Sequence, residues 1–291
     1  MRVAARPALA PLPPLLYEAL VRDALTEDLG LGGDLTSEAT IAAGTQAHAW
    51  IVAREAGIVA GGDLARAAFL ALDPAARFET FVLDGQPLEP GTRIATVACD
   101  ARALLGAERT ALNVLGHLCG IATATARYVA AAGNARCRIV ETRKTLPGLR
   151  ALQKYAVRAG GGSNHRFRLD DAILIKDNHV ALAGGVVAAL TAARARAGHL
   201  LSVEIEVDTL AQLDLVLASP ARADCILLDN FSLRDVREAV RRIDGRATVE
   251  VSGGIALANV AELAAAGVDV ISVGALTHSV RALDIALDIA L

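Results

Sequence analysis

The sequence predicts an α/β protein in two parts: an α+β domain ending near residue 100, then a parallel (β/α) barrel, or a large part of one, beyond residue 137. Two observations predict the barrel. Six short β-branched runs, at residues 138–141, 172–176, 201–207, 225–228, 248–251 and 269–273, alternate with helical segments. The last four of these runs end about 22 residues apart, close to the length of one βα unit. A third observation sets the first part aside: before residue 100, strand-like runs, glycine-rich turns and short helices follow no such period.

The elements follow in order. The opening MRVAARPALAPLPPLL carries two arginines but is cut by Pro7, Pro11, Pro13 and Pro14. It has no unbroken apolar region and reads as a flexible Pro-rich arm over residues 1–14, with no signal peptide. Residues 15–25 set Leu16, Ala19, Leu20 and Ala24 at helical spacing and break at a glycine-rich turn, 28–34. Asp34, Leu35, Thr36 and Ser37 then begin a helix or a strand; the pattern does not decide. Residues 46–60 read as strands around a turn at 55–57, residues 65–72 as a short helix, and 84–91 as a turn-rich loop between two more strands. From 103 to about 132 the chain is helical, with Leu105, Leu112, Leu115, Cys119 and Ala122 on one stripe, and this helix joins the two parts.

Composition narrows the function. At 291 residues there is ample chain for a core, and the 54% hydrophobic content is rich in alanine without a run of membrane-spanning length. A net charge of −3 gives no reason to expect nucleic acid. Cys99, Cys119, Cys137 and Cys225 form no CxxC pair and read as buried free thiols of a reducing cytosol. Any anion site must therefore be local.

The strand ends supply one. Side chains alternate faces along a strand, so in VEIEVD the residues Val203, Ile205 and Val207 oppose Glu204 and Glu206. By the same rule Lys176, Asp229 and Glu250 oppose the apolar faces of their strands. If the apolar faces meet the outer helices, these five charges converge inside the barrel. Each alone reads as a structural ion pair, but together at the ends of parallel strands they mark an active site. The last two strands run into Ser252-Gly253-Gly254 and Val273-Gly274-Ala275, each expected to lead into a helix start that cradles phosphate. The stretch 141–179 adds Arg143, Lys144, Lys154, Arg158, His165, Arg166, Arg168 and Lys176 around Gly160, Gly161 and Gly162, which reads as a surface for a polyanion. His165 is equally a hydrogen-bonded turn residue. The ligand expected from these groups is rich in phosphate and carboxylate, with the acids holding hydroxyls or Mg²⁺.

Several motifs resemble those of the quinolinate phosphoribosyltransferase family. They are EDLGLGGDLTS, ERTALN at 108–113, ETRKTLPGLR at 141–150, KYAVRAGGGSNHR at 154–166, ILIKDNH at 173–179, VEIEVD at 203–208, LLDNF at 227–231, VSGGI at 251–255 and SVGALTHS at 272–279. The resemblance covers nearly the whole chain beyond the arm. It implies an N-terminal α/β sandwich domain, placed at 15–115, and a C-terminal open (β/α) barrel of six or seven parallel strands, placed at 116–291, whose last segment is free to pack back on the first domain. It implies transfer from phosphoribosyl pyrophosphate to quinolinate with decarboxylation, giving nicotinate mononucleotide, pyrophosphate and CO₂ in NAD biosynthesis. Mg²⁺ is the implied cofactor, carried mainly by the donor pyrophosphate with no dedicated metal ligands. The implied substrate-binding residues are Arg109, Thr142, Arg143, Lys144, His165, Arg166, Lys176, Glu206 and Asp229. Of these, Lys144, Lys176, Glu206 and Asp229 are the implied catalytic groups, Glu206 being preferred to Glu204 by motif alignment alone. Ser252, Gly253, Gly254, Val273, Gly274 and Ala275 are the implied phosphate loops. The family also implies a cytoplasmic homodimer, or a higher assembly, with shared sites.

Arg109 is the residue assigned to the neighbouring subunit's site. The alternative for it is a local ion pair with Glu108. Gly116 on the same flank is expected to admit another backbone. Competing functions are a barrel lyase using Lys176 as a Schiff-base nucleophile, a related phosphoribosyltransferase with another acceptor, and a non-catalytic phosphometabolite sensor.

Overall fold

The computed structural model describes residues 9–133 and 136–290. The expected arm therefore lies mostly outside the described residues; its end forms a 3-10 turn at Pro14–Leu16. The first elements are α1 (Glu18–Leu29), α2 (Leu35–Thr40), β1 (Gln46–Ala53), β2 (Gly57–Ile58), α3 (Gly62–Leu72), β3 (Arg77–Thr80), β4 (Pro87–Leu88), β5 (Arg93–Asp100) and α4 (Ala101–Ala132). There follow β6 (Arg138–Val140), α5 (Arg150–Ala159), β7 (Ile173–Ile175), α6 (Asp177–Ala183), α7 (Val186–Arg196), β8 (Val203–Val207), α8 (Leu210–Ala218), β9 (Cys225–Asp229) and α9 (Leu233–Ile243). The chain closes with β10 (Thr248–Ser252), α10 (Val260–Ala265), β11 (Val270–Ser272), α11 (Ala275–His278) and β12 (Ile285–Ile289).

Contacts divide the chain into two units. One contains residues up to 126, 146–161 and 276 onward; the other contains 127–145 and 162–275. The expected boundary at 115/116 falls inside α4, which runs through it unbroken.

The first unit is built on a four-stranded antiparallel sheet in the order β12-β1-β5-β3. β1 alternates in exposure over its first part and is buried from Ile51 to Ala53, where β5 and β12 flank it. The open alternative at Asp34 resolves as helix, because its carboxylate caps α2 by accepting the Ser37 N–H at 3.0 Å. Lys154, expected on an anion-binding surface, is fully buried on α5 within this unit. Gly116 does admit a backbone, but it is the chain's own. A Cβ there would stand 2.9 Å from Leu283 O, and the Leu283 N–H donates to Gly116 O at 2.9 Å. The backbone expected at Gly116 is thus that of Leu283 in the same chain.

The second unit holds six parallel strands in the order β6-β11-β10-β9-β8-β7. Among the described residues β6 and β7 do not pair, so the barrel is open there. Ser163 lies along the free edge of β6, bridging to Val140 and donating its N–H to Ile139 O at 2.8 Å. All five residues of β8 are buried, as expected of a strand covered on both faces. Val203, Ile205 and Val207 are fully enclosed and, with Leu213 and Val216 of α8 and Val236, Ala239 and Ile243 of α9, make the helix-side core. Each such side chain contributes roughly 1.5–3 kcal/mol by burial. That core offsets the cost of placing Glu204 and Glu206 on the other face. No helix of the described residues is long and apolar enough to cross a membrane.

Candidate active site

Strand register brings the charged residues level. Ile175 stands opposite Ile205, so Lys176 leaves β7 beside Glu206 and its Nζ donates to the Glu206 carboxylate. Ser252 stands opposite Asp229, which sets the ends of β9 and β10 side by side. At these C-terminal ends Thr142, Arg143, Lys144, His165, Arg166, Leu174, Lys176, Leu227, Asp229, Glu250, Ser252 and Ser272 line a cavity of about 300 Å³. The carboxyl ends of parallel strands are where a barrel of this kind carries its chemistry.

His165 and Arg166 enter from the open side. The segment that begins at Ser163 runs along β6, and Arg166 Nη1 donates to Ala172 O at 3.0 Å, just before β7. Glu141, fully buried after β6, accepts the His165 N–H at 3.1 Å and the Asn164 amide at 3.0 Å. The His165 ring faces inward from this hydrogen-bonded segment. Its Nε2 lies 3.4 Å from both the Glu204 and Glu250 carboxylates, and its Nδ1 accepts the Arg166 N–H at 2.7 Å. Because Nδ1 accepts, the ring carries its proton on Nε2, towards the two acids. Burial pushes the Glu250 carboxyl above its ordinary range, although His165 opposes the shift. Cys225 donates to Glu204 at 3.6 Å, and burial pushes its thiol well up.

Two arginines are prepared for an anion. The Nε atoms of Arg143 and Arg166 are buried without a hydrogen-bond partner. Burial lowers the Arg166 guanidinium, and the charge of Arg143 lowers it further. An anion bound there would offset both the burial and the mutual repulsion, which is the behaviour of a binding site and not of a settled ion pair.

Of the residues marked from sequence, Thr142, Arg143, Lys144, His165, Arg166, Lys176, Asp229 and Ser252 line the cavity, and Glu206 adjoins it through Lys176. Gly253 and Gly254 instead line a second cavity of about 250 Å³ with Asn230 and Asn259. The helix expected directly after them starts only at Val260. Asn259 first closes a turn, accepting from Ala256 N–H at 2.9 Å and donating to Gly254 O at 3.0 Å. Val273, Gly274 and Ala275 do lead directly into α11. Arg158 is exposed on α5, and Arg168 is exposed and paired with Asp170 at 3.1 Å, so neither joins the cavity lining. Arg109 is 62% exposed on α4, with its guanidinium 3.8 Å from Glu108.

Sequence reasoning missed Asp208, which with Glu206 and Asp229 brings three carboxylate oxygens within 4.8 Å of one another. Its signal was its place one residue beyond the VEIEV strand. An all-oxygen set fits a hard divalent cation such as Mg²⁺. It also missed Asn230, whose positive φ of 55° turns the chain beside Asp229.

Against known families, residues 34–119 match the quinolinate phosphoribosyl transferase N-terminal domain and residues 121–288 its C-terminal domain. The chain belongs to the quinolinate phosphoribosyltransferase family. Among members of that family, it is 51% identical over 277 residues to a nicotinate-nucleotide pyrophosphorylase (carboxylating) of Mycobacterium leprae, with 92% of this chain and 95% of the relative covered. It is 42% identical to a probable enzyme of the same name from Bacillus subtilis, covering 95% and 94%. The structure of NadC from Streptococcus pyogenes superposes with a TM-score of 0.92 at 39% identity, covering 97% of this chain and 99% of that one. The quinolinate phosphoribosyltransferase fold therefore extends over both units.

Proposed function

We propose that this chain is the decarboxylating quinolinate phosphoribosyltransferase of NAD biosynthesis. It transfers the phosphoribosyl group of phosphoribosyl pyrophosphate to quinolinate and yields nicotinate mononucleotide, pyrophosphate and CO₂. The observation that carries this reading is the pair of buried, unpartnered arginine Nε atoms, at Arg143 and Arg166, in a cavity shared with Lys144, Lys176 and two acids. Such a cavity suits an acceptor with two carboxylates and a donor with several phosphates.

In this reading Arg143 and Arg166, with Thr142, hold the two carboxylates against the His165 ring and fix the pyridine nitrogen towards the anomeric carbon. Positioning of that kind carries much of the rate. The nitrogen–carbon bond forms as the carbon–oxygen bond to pyrophosphate breaks. Glu206 and Asp229 stabilise the positive charge that develops on the ribose, and Lys144 and Lys176 take up charge on the leaving group. The new pyridinium is its own electron sink. The carboxylate next to the ring nitrogen leaves as CO₂, its bonding pair stays on the ring carbon, and a proton replaces it. Ser252, Gly253 and Gly254, with Val273, Gly274 and Ala275, receive the 5′-phosphate. Mg²⁺, where bound, neutralises pyrophosphate charge. Glu206, Asp208 and Asp229 are the residues that would hold it beside the donor. The working form is a homodimer in the reducing cytosol, with Arg109 completing the site of the other subunit.

A lyase using Lys176 as nucleophile is disfavoured because its Nζ is committed to Glu206. The test is stoichiometric. With phosphoribosyl pyrophosphate, Mg²⁺ and quinolinate, pyrophosphate and CO₂ should appear in equal amounts. Either product without the other would overturn the reaction as written.

A further inference from the structure

Two buried acids in the barrel have no part in the chemistry above. Glu204 on β8 and Glu250 on β10 are almost wholly enclosed, and a strand, β9, separates them in the sheet. Their carboxylates nevertheless reach the same atom, His165 Nε2, at 3.4 Å each. Burying two like charges side by side is costly, and a hydrophobic pair on these strands would pack without that cost. The arrangement needs a reason beyond stability.

The geometry supplies it. The ring joins two structures that must agree in position: Nε2 faces the acids of the barrel interior, while Nδ1 receives the backbone N–H of Arg166 at 2.7 Å. Glu141 holds the same residue from behind, through its N–H at 3.1 Å. The loop that carries His165 and Arg166 spans the open side of the barrel, where no neighbouring strand pair fixes it. We infer that Glu204 and Glu250 are positioning residues: they clamp the His165 ring to the barrel floor and, through Nδ1, set the backbone from which Arg166 reaches the acceptor carboxylate. The inference rests on the proposed acceptor role of Arg166. Glu204 also offsets part of the Arg166 charge, so the pocket recognises its dianion by directed hydrogen bonds as well as by positive charge.

The test is a double-mutant cycle with Glu204→Gln, Glu250→Gln and His165→Ala, each checked for an unchanged melting transition. Each Gln variant should raise the quinolinate KM by about tenfold while the phosphoribosyl pyrophosphate KM stays within about twofold. In the His165→Ala background, Glu250→Gln should have no further effect. Additive losses, or an equal rise in both KM values, would overturn the inference, because the acids would then act on something other than His165. A readout independent of turnover is the imidazole Nε2–H proton resonance of His165. It should be protected from exchange with water in the wild type and shift in either Gln variant. An unmoved resonance in both also refutes the clamp. Should Glu250→Gln fail to fold, Glu204→Gln carries the same cycle. A wild type that turns over no quinolinate refutes the proposed reaction instead, and the resonance still decides the clamp.

Discussion

Replacing Gly253 with alanine should damage the site out of proportion to the one methyl group added. At Gly253 φ is +83°, and a Cβ would stand 2.1 Å from Asn230 Oδ1 and 2.8 Å from Asn230 N. The backbone conformation alone costs an alanine about 1–2 kcal/mol. The clash then forces the Asn230 side chain away, and its amide loses the hydrogen bond it donates to Asp229 at 2.7 Å, worth roughly 1 kcal/mol. The Asn230 N–H, bonded to Ser252 O at 3.0 Å, must shift with it, so the ends of β9 and β10 separate. A total of about 2–3 kcal/mol in stability is expected. A displacement of about 1 Å at Asp229 is expected to cost about 100-fold in kcat/KM. Gly254→Ala is the comparison, because its φ is +59° but a Cβ there meets nothing within 4 Å. It should lose only about 1–2 kcal/mol. Urea unfolding and steady-state kinetics on the two variants, at a temperature where both remain folded, measure the difference. Equal stability and equal activity would refute the assignment of the Asn230 contact as the coupling between this turn and Asp229.

Three further outcomes follow from particular contacts. Burial would raise the Asp224 carboxyl, but Arg194 at 2.8 Å and the Val203 N–H at 2.7 Å hold it below its ordinary range. Its stabilisation is therefore full above the unfolded pKa and lost as pH falls through the folded one. The advantage of wild type over Asp224→Asn in urea midpoint should be constant near neutrality and shrink below about pH 4; an advantage unchanged in acid contradicts the ion pair. Calorimetry should show weak Mg²⁺ binding to the free protein and much tighter binding with phosphoribosyl pyrophosphate present, since three clustered acids without donor oxygens make a poor cage. Tight binding without donor would give the acids a dedicated metal role. Arg109→Ala and Lys176→Ala should each be nearly inactive, and after verified dissociation and reassembly their mixture should recover roughly a quarter of wild-type activity. A mixture that stays dead places Arg109 outside the partner's site.

The barrel was legible because its six strands are short β-branched runs, and in four of them alternation placed the charges Lys176, Glu206, Asp229 and Glu250 opposite an apolar face, in the interior. β12 was not legible: its apolar alternation resembles any strand, and its partner β1 lies at the other end of the chain. Spacing also could not separate Lys176, at the cavity, from Lys154, enclosed in the other unit, since both sit in one cationic stretch. The surroundings of His165 escaped for a related reason. Its partners Glu204 and Glu250 come from strands far along the sequence, and only the closure of the sheet brings them to one nitrogen. Gly116 shows the limit of reading a glycine from sequence, which reveals that a backbone approaches but not whose.

The central claim is that this cavity selects a dicarboxylate acceptor. The direct measurement is nucleotide formation from phosphoribosyl pyrophosphate and Mg²⁺ with quinolinate, nicotinate or nicotinamide supplied in turn. A single carboxylate leaves buried cationic donors such as Arg143 or Arg166 unpaired, at a cost of about 1–3 kcal/mol or more. Quinolinate should be consumed with release of CO₂, nicotinate should react far more slowly, and nicotinamide should give no product. Comparable turnover of nicotinate would contradict the acceptor assignment while leaving the fold untouched.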